Sequence, residues 1–303
     1  MTKLDRREFL LKSAAGIAGA AAVATVLPEL SFASVAKKTQ MVDMVDLGKT
    51  GLKVSRLAFG TGTRGWKNVS DQTRLGVEKF VKLSQYCYDR GIRFFDAADM
   101  YGSHTYVAEA LKVLPREKVT ILTKVMTYRH EGWYEVEPFE KCFDRFRKEL
   151  NTDYFDIFLL HCMENGNWPN EYKSYMDGLS KEKQKGNIKA IGISCHSLDA
   201  MTVAASHPWV DVLFARINNV GVTKRMDDTP EKVMKVLELA RKNGKGIIGM
   251  KVFGCGDLVK EEEREASLNY VIKSKNVHCM TLGVDREEQV DDNISRVMRI
   301  VNS

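Results

Sequence analysis

The sequence predicts an α/β fold, a closed (β/α)8 barrel preceded by an N-terminal β-hairpin, and three observations carry that prediction. Eight short apolar runs recur along the chain, a longer amphipathic stretch follows each of them, and about 250 residues hold the whole alternation. Parallel strands need helical crossovers, and closing the sheet removes the exposed edges an open one would leave. The competing architecture is an open doubly wound sheet. Its dinucleotide fingerprint is missing, because the first strand-to-helix turn reads GTGTRG and then runs through Trp66, Lys67 and Asn68 instead of opening a helix.

The elements follow in order. Residues 42–54 (VDMVDLGKTGLKV) read as a hairpin turning around Gly48–Gly51, placed to plug the barrel floor. The eight strands are expected at 57–61, 92–95, 119–123, 155–160, 188–193, 211–215, 246–250 and 277–282. Helical patterns follow at about 71–90, 103–114, 136–150, 170–184, 197–206, 230–243, 262–274 and 286–301. Ser70 with Asp71, Ser197, Thr229 before Pro230, and Asp285 stand where helix starts need caps, while Gly91, Gly186 and Gly244 stand where helices stop. Long loops at 216–229 and 251–261 leave the C-terminal ends of strands. EEERE at 261–265 reads as the solvated, acidic first turn of a helix.

Two domains are expected: a leader at 1–36 and the barrel at 37–303. The leader has three parts: Lys3, Arg6, Arg7 and Lys12, then an apolar Ala/Gly-rich stretch from Ala14 to Leu27, then small residues with cleavage sites after Ala33 or Ala36. LDRREFLLK resembles a twin-arginine export signal, with Asp5 where Ser or Thr is usual. Its apolar part spans about 21 Å, short of the ~30 Å hydrocarbon core. The reading is therefore export to the periplasm with the twin-arginine machinery as partner, and no stable membrane span after processing.

Composition narrows the function. The chain has 303 residues and a formal charge of +6, scattered rather than gathered into a stripe, so nucleic-acid binding is not expected. Its six cysteines have no C-x-x-C or zinc-finger spacing, so neither a disulfide framework nor a metal site is predicted. Cys162, Cys195 and Cys255 lie at or just past strand ends, and buried apolar thiols are the expected outcome there.

The chemistry is expected where strands end. IRFF stops at Asp96, VTILT at Lys124, FDIFLL at His161 and IKAIGI at Ser194, and Tyr101 follows Asp96 within DAADMYGSH. A buried lysine needs an anion, and Asp96 on the neighbouring strand supplies one. An ammonium near a phenol stabilises the phenolate, so Tyr101 is expected to be acidified and to act as general acid, with His161 as a neutral donor orienting a carbonyl oxygen. Singly, these residues have plain structural explanations: an ion pair, an interface aromatic, a satisfied core imidazole. Together, at consecutive strand ends, they suit protonation of an oxyanion as hydride arrives. A metal-dependent hydrolase would need further carboxylates or histidines where this chain has Lys124.

GLKVSRLAFGTGT, GIRFFDAADMYGSH, VTILTK, TDYFDIFLLH, GNIKAIGIS and QVDDN together resemble the aldo-keto reductase family over about residues 43–302. The resemblance implies a TIM barrel, a nicotinamide cofactor bound without a Rossmann fold, and NAD(P)-dependent reduction of a small-molecule carbonyl or the reverse oxidation of an alcohol. It places the catalytic tetrad on Asp96, Tyr101, Lys124 and His161. Around the nicotinamide it implies Ser194 and Asn218, with Cys195 where Asn or Arg is usual and Phe214 where Gln is usual. It offers Met250, Lys251 and Phe253 after the seventh strand, and Gln289, Asp292 and Asn293 around adenosine. NADP is the family's usual cofactor. Asp285 would repel a 2′-phosphate and keeps NAD possible, with Arg286 beside it pulling the other way. The last helix ends close to Ser303, from which an open, shallow substrate pocket is expected. A second reading is a nucleotide-binding redox module like the β-subunits of potassium channels, with little turnover. Export by the twin-arginine route implies a tightly held dinucleotide that travels with the folded protein.

Overall fold

A computed structural model describes residues 40–303, and the predicted leader at 1–36 lies outside the described residues. Two short strands, β1 (Met44–Asp46) and β2 (Lys53–Ser55), pair antiparallel with Val45 opposite Val54. Eight further strands follow: β3 (Leu57–Gly60), β4 (Phe94–Asp96), β5 (Thr120–Met126), β6 (Phe155–Met163), β7 (Ile188–Cys195), β8 (Val212–Arg216), β9 (Gly246–Met250) and β10 (Cys279–Gly283). All eight pair parallel in sequence order, and β10 closes onto β3 with Gly283 opposite Gly60. The predicted closed barrel is thus the observed one.

The helices are α1 (Val77–Asp89), α2 (His104–Leu111), α3 (Phe139–Leu150), α4 (Trp168–Glu171), α5 (Lys173–Gln184), α6 (Leu198–Ser206), α7 (Pro230–Lys242), α8 (Glu261–Lys273) and α9 (Glu287–Asn302). Ser197 and Thr229 cap α6 and α7 by accepting from the third residue onward, at 3.0 and 3.4 Å. The first expected helix is shorter than its pattern. A 3₁₀ turn at Thr73–Leu75 ends in Gly76 at φ 80°, a conformation that restarts the chain direction before α1. The pattern at 170–184 breaks into α4 and α5 for a similar local reason, since Tyr172 leaves helical geometry between them.

The barrel holds two apolar layers. Inside it Ala58, Phe94, Leu122, Ile157, Leu159, Ala190, Val212 and Ile248 pack with Leu47 and Val54 of the hairpin, all essentially without exposure. Outside it the strands meet the helices, where Phe139, Phe143 and Phe146 of α3 lie on Phe155 and Phe158 of β6, with Phe146 stacked on Phe158 at 5.6 Å. The hairpin is fastened to the strand bottoms by Lys49 N donating to Gly244 O at 2.8 Å. Gly48 is required there, since at φ 56° an added Cβ would stand 2.5 Å from the backbone N of Gly246.

One difference positions the site. Strands β5, β6 and β7 run two to three residues past their expected ends, so Lys124 and His161 sit within strands rather than at their tips. The wall they form is taller than the rest of the rim. It is also locally irregular: the β6–β7 register shifts between Leu160 and Met163, with Cys162 at φ 60°.

Candidate active site

Asp96 is the last residue of β4, and its carboxylate is buried. Lys124 on β5 pairs with it through Oδ1, donates to Ala97 O at 2.9 Å, and has no exposed side-chain surface. The second carboxylate oxygen accepts from Thr281 Oγ1 on β10 at 2.8 Å. Both charges are thus satisfied inside the barrel, as burial of an ion pair requires. The lysine nitrogen also lies 4.9 Å from the ring centroids of both Tyr101 and Phe214, so two aromatic faces flank it.

Tyr101 comes from the turn after β4. Asp99–Tyr101 form a 3₁₀ turn that ends at Gly102, φ 63°, and Asn68 N donates to Met100 O at 3.0 Å. The ring is seated against two glycines of the loop after β3. A Cβ on Gly62 would stand 2.2 Å from it and one on Gly65 2.5 Å. On another side His161 meets it edge to face, centroids 5.6 Å apart.

The predicted tetrad residues Asp96, Tyr101, Lys124 and His161 are therefore brought together, but the predicted acidification of Tyr101 is not observed. Burial, then the negative charge of Asp96, hold the phenol well above its ordinary value. Burial lowers the Lys124 value while Asp96 opposes it. The physical reason is that the lysine charge is spent on Asp96 and lies under the ring, so the pair presents almost no net charge to the hydroxyl. Tyr101 is a phenol held protonated, which is the state a proton donor needs. His161 is neutral as expected: burial, then Lys124 and neighbouring cationic groups, push it well below the usual imidazole value, and its Nδ1 is buried without a partner.

Beside this cluster a cleft of about 490 Å³ runs along the barrel mouth from Asp96, Tyr101 and Phe214 past Met250 and Lys251 to Asp285, Gln289 and Asn293. Gly60, Gly62, Gly256 and Gly283 line it, so backbone is exposed for close approach by a phosphate. Ser194 Oγ, at the C-terminal end of β7, is buried with no hydrogen-bond partner, although it does not itself line the cleft. A glycine-lined cleft that runs from Tyr101 to Arg286 fits an extended dinucleotide.

Four residues carried over from the resemblance do not line the cleft, Ser194 being the first of them. Asn218 is fully buried and spends its amide within its own loop, donating to Lys224 O at 2.8 Å and accepting from Val220 N and Gly221 N. Cys195 is buried in the outer layer, because strand alternation turns it away from Ser194. Asp292 faces Arg264 and Arg296 instead. Gln289 does line the cleft, and its Oε1 accepts from Asp285 N at 2.8 Å, while Asp285 is paired with Arg286 at 2.7 Å. Of the three cysteines near strand ends, Cys255 lines the cleft and is only half-buried, Cys162 is buried beside Tyr101, and Cys195 lies in the outer layer. Cys162 Sγ lies 3.5 Å from His196 Nε2, and Cys255 Sγ lies 3.6 Å from Lys251 Nζ.

Sequence reasoning passed over Thr281, Phe214 as a flank of Lys124, and the two glycines beneath Tyr101. A lone hydroxyl in the apolar run VHCMTL was the available signal for Thr281. Nothing local marks the glycines, whose role depends on a ring forty residues away.

The model for the Aldo/keto reductase family matches residues 56–300. A soybean (Glycine max) protein named "Probable aldo-keto reductase 1" is 28% identical over 266 residues, covering 80% of this chain and 72% of its own. An Arabidopsis thaliana protein named L-galactose dehydrogenase is 26% identical over 290 residues, covering 84% and 88%. Among solved structures, the holo form of an aldo-keto reductase from Bacillus halodurans superposes with a TM-score of 0.67 at 20% identity, over 84% of this chain and 91% of that one. One from Klebsiella pneumoniae in complex with NADPH does so at 0.62 and 17%, over 85% and 90%. With the barrel, the mouth cluster and a match spanning residues 56–300, this chain belongs to the aldo-keto reductases, a family of NAD(P)H-dependent oxidoreductases.

Proposed function

We propose that this chain transfers hydride between a nicotinamide dinucleotide and a small carbonyl or alcohol, with Tyr101 as the proton donor in the reducing direction. The observation that carries the reading is the Tyr101 ring resting on the Lys124 ammonium with His161 at its edge and Asp96 behind. A dihydronicotinamide bound in the cleft would supply the hydride. The partnerless Ser194 hydroxyl would hold its carboxamide, Met250 and Phe214 would offer it apolar contact, and Lys251 and Arg286 would meet its phosphates. His161, neutral, orients the carbonyl oxygen toward Tyr101. As negative charge grows on that oxygen, the phenol gives up its proton to it, while the Lys124–Asp96 pair seats the ring.

NADPH is the cofactor we assign, because the Asp285 carboxylate that would repel a 2′-phosphate is already paired with Arg286. For substrate, the loops after β3 and β5 raise an aromatic rim. Trp66, half exposed, lies 4.6 Å from His130 and 4.7 Å from Trp133, and His130 stacks on Trp133. Such flat faces suit a sugar ring, and a relative at 26% identity is named L-galactose dehydrogenase. The leader at 1–36 supports export by the twin-arginine route.

Titration of the purified chain with NADPH and NADH, read by nucleotide fluorescence, followed by aldoses and small aldehydes, tests the reading. Saturable binding with turnover of at least one carbonyl supports it. Failure to bind either nucleotide overturns it, and binding without turnover of any carbonyl would leave a nucleotide-binding module.

A further inference from the structure

The turn that presents Tyr101 is held from behind by a side chain on an outer helix. Asp99 opens that turn, two residues before Tyr101, and its carboxylate is buried. Arg145 of α3 grips it with two nitrogens, Nη1 to Oδ1 at 2.9 Å and Nη2 to Oδ2 at 3.1 Å. Tyr134 Oη lies 2.7 Å from Oδ2 and donates to it. Arg145 is fixed in its own plane by Glu137, 2.9 Å from Nε, and by Glu149, 3.1 Å from Nη1. Glu149 in turn contacts His104 Nδ1 at 2.7 Å, and His104 Nε2 reaches Thr123 Oγ1 at 2.8 Å. Thr123 immediately precedes Lys124 on β5. The network therefore ties the Tyr101 turn to the strand that carries its lysine neighbour, through groups outside the mouth.

We propose that Arg145 is a positioning residue for the reaction. By holding Asp99 it fixes the turn Asp99–Tyr101, and so the placement of the Tyr101 phenol over Lys124 and beside His161. On the cleft side the ring rests against the backbone of Gly62 and Gly65, which lie in the loop after β3. The Asn68 N–Met100 O bond ties the turn to that loop, and at the back of the turn the side chain of Asp99 is anchored by Arg145 and Tyr134. Without Arg145 the buried Asp99 carboxylate keeps one hydrogen bond and loses its countercharge, so it must turn toward water or take up a proton, and either result loosens the turn. A displacement of about 1 Å at a proton donor costs roughly 10²-fold in rate.

This inference rests on the proposed role of Tyr101, and the test separates the two. Wild type, Arg145→Gln, Arg145→Lys, Asp99→Asn and the double variant Arg145→Gln/Asp99→Asn are assayed for reduction of 4-nitrobenzaldehyde by NADPH. Nucleotide Kd is measured by fluorescence quenching and the folded fraction by circular dichroism. Arg145→Gln is expected to lower kcat by about ten- to a hundredfold per folded molecule, with nucleotide Kd changed less than twofold and a larger solvent isotope effect on kcat. Arg145→Lys recovers part of the loss. The double variant is faster than Arg145→Gln alone, because the unpaired charge is gone. If Arg145→Gln does not fold, the comparison of Arg145→Lys with Asp99→Asn carries the same expectation of lowered kcat at unchanged Kd. Lowered kcat with additive effects in the double variant, or unchanged kcat in the folded single variants, overturns the proposal. No turnover by wild type would instead overturn the role of Tyr101.

Discussion

A lysine without any exposed surface stays charged only where an anion and favourable dipoles surround it, and Lys124 has Asp96, the Ala97 carbonyl and two ring faces. That arrangement decides the behaviour of Tyr101. Its phenol is held up by burial rather than acidified, so it remains protonated to beyond about 10, the value of a free phenol. Carbonyl reduction, which uses the protonated form, is expected to show no decline from Tyr101 up to pH 10. Alcohol oxidation, which needs the phenolate, should keep rising over the same range. Initial rates in both directions from pH 6 to 10 check this, and a reduction limb near neutrality that Tyr101→Phe abolishes would contradict it. Tyr101→Phe itself should lower reduction by at least 10²-fold, with nucleotide Kd within about twofold, since the lost hydroxyl serves the substrate oxygen. A variant with wild-type turnover would remove the phenol from the mechanism. The residue types and order of the mouth cluster were legible in the sequence because polar groups ending apolar runs are conspicuous. The direction of the Tyr101 shift was not, since it depends on whether the ammonium meets the hydroxyl or the ring. Asn218 misled for a related reason: a sequence position says nothing of whether an amide is already saturated by its own loop.

At the scale of elements, the alternation of strands and helices was readable throughout, because both apolar layers impose their period on the text. What escaped were the ends. Strands β5 to β7 continue because neighbouring strands still offer partners there, and a pattern confined to one segment cannot show its neighbour's length. Close packing between two of these strands gives a sharp expectation. A Cβ on Gly192 of β7 would stand 1.9 Å from Val212 O on β8. Gly192→Ala should therefore destabilise the protein by about 1–3 kcal/mol, and by more if the ladder parts. Urea unfolding measures it, and an unchanged midpoint would show that the two strands can separate without penalty. In the loop after β3, Gly62→Ala should act differently, moving Tyr101 and lowering kcat more than it lowers stability, by comparison of turnover with the unfolding midpoint.

For the whole molecule, buried histidines contribute to the response to acid. Burial, then nearby cations, lower His196 from 6.5 to about 3, and His161 is lowered as well. In the unfolded chain both take up a proton below about 6.5, while the folded chain refuses it, so unfolding is favoured progressively as pH falls from 6.5 toward 3. Each such group contributes at most about 1.4 kcal/mol per pH unit. Thermal unfolding at pH 7, 5.5 and 4.5 should show a falling midpoint, with a shallower fall in His196→Gln. An identical slope in that variant would mean the imidazole is already charged in the fold.

The hairpin stopper at the far end has a wider meaning. With Leu47 and Val54 sealed among the inner strand residues, the barrel formed by the described residues is closed at its floor and opens at its mouth. Reagents, products and the hydrogen ion used in each cycle must share that opening. If Tyr101 acts as proposed, a molecule seated over it would stand between the phenol and water, and the proton would be restored only after product departs.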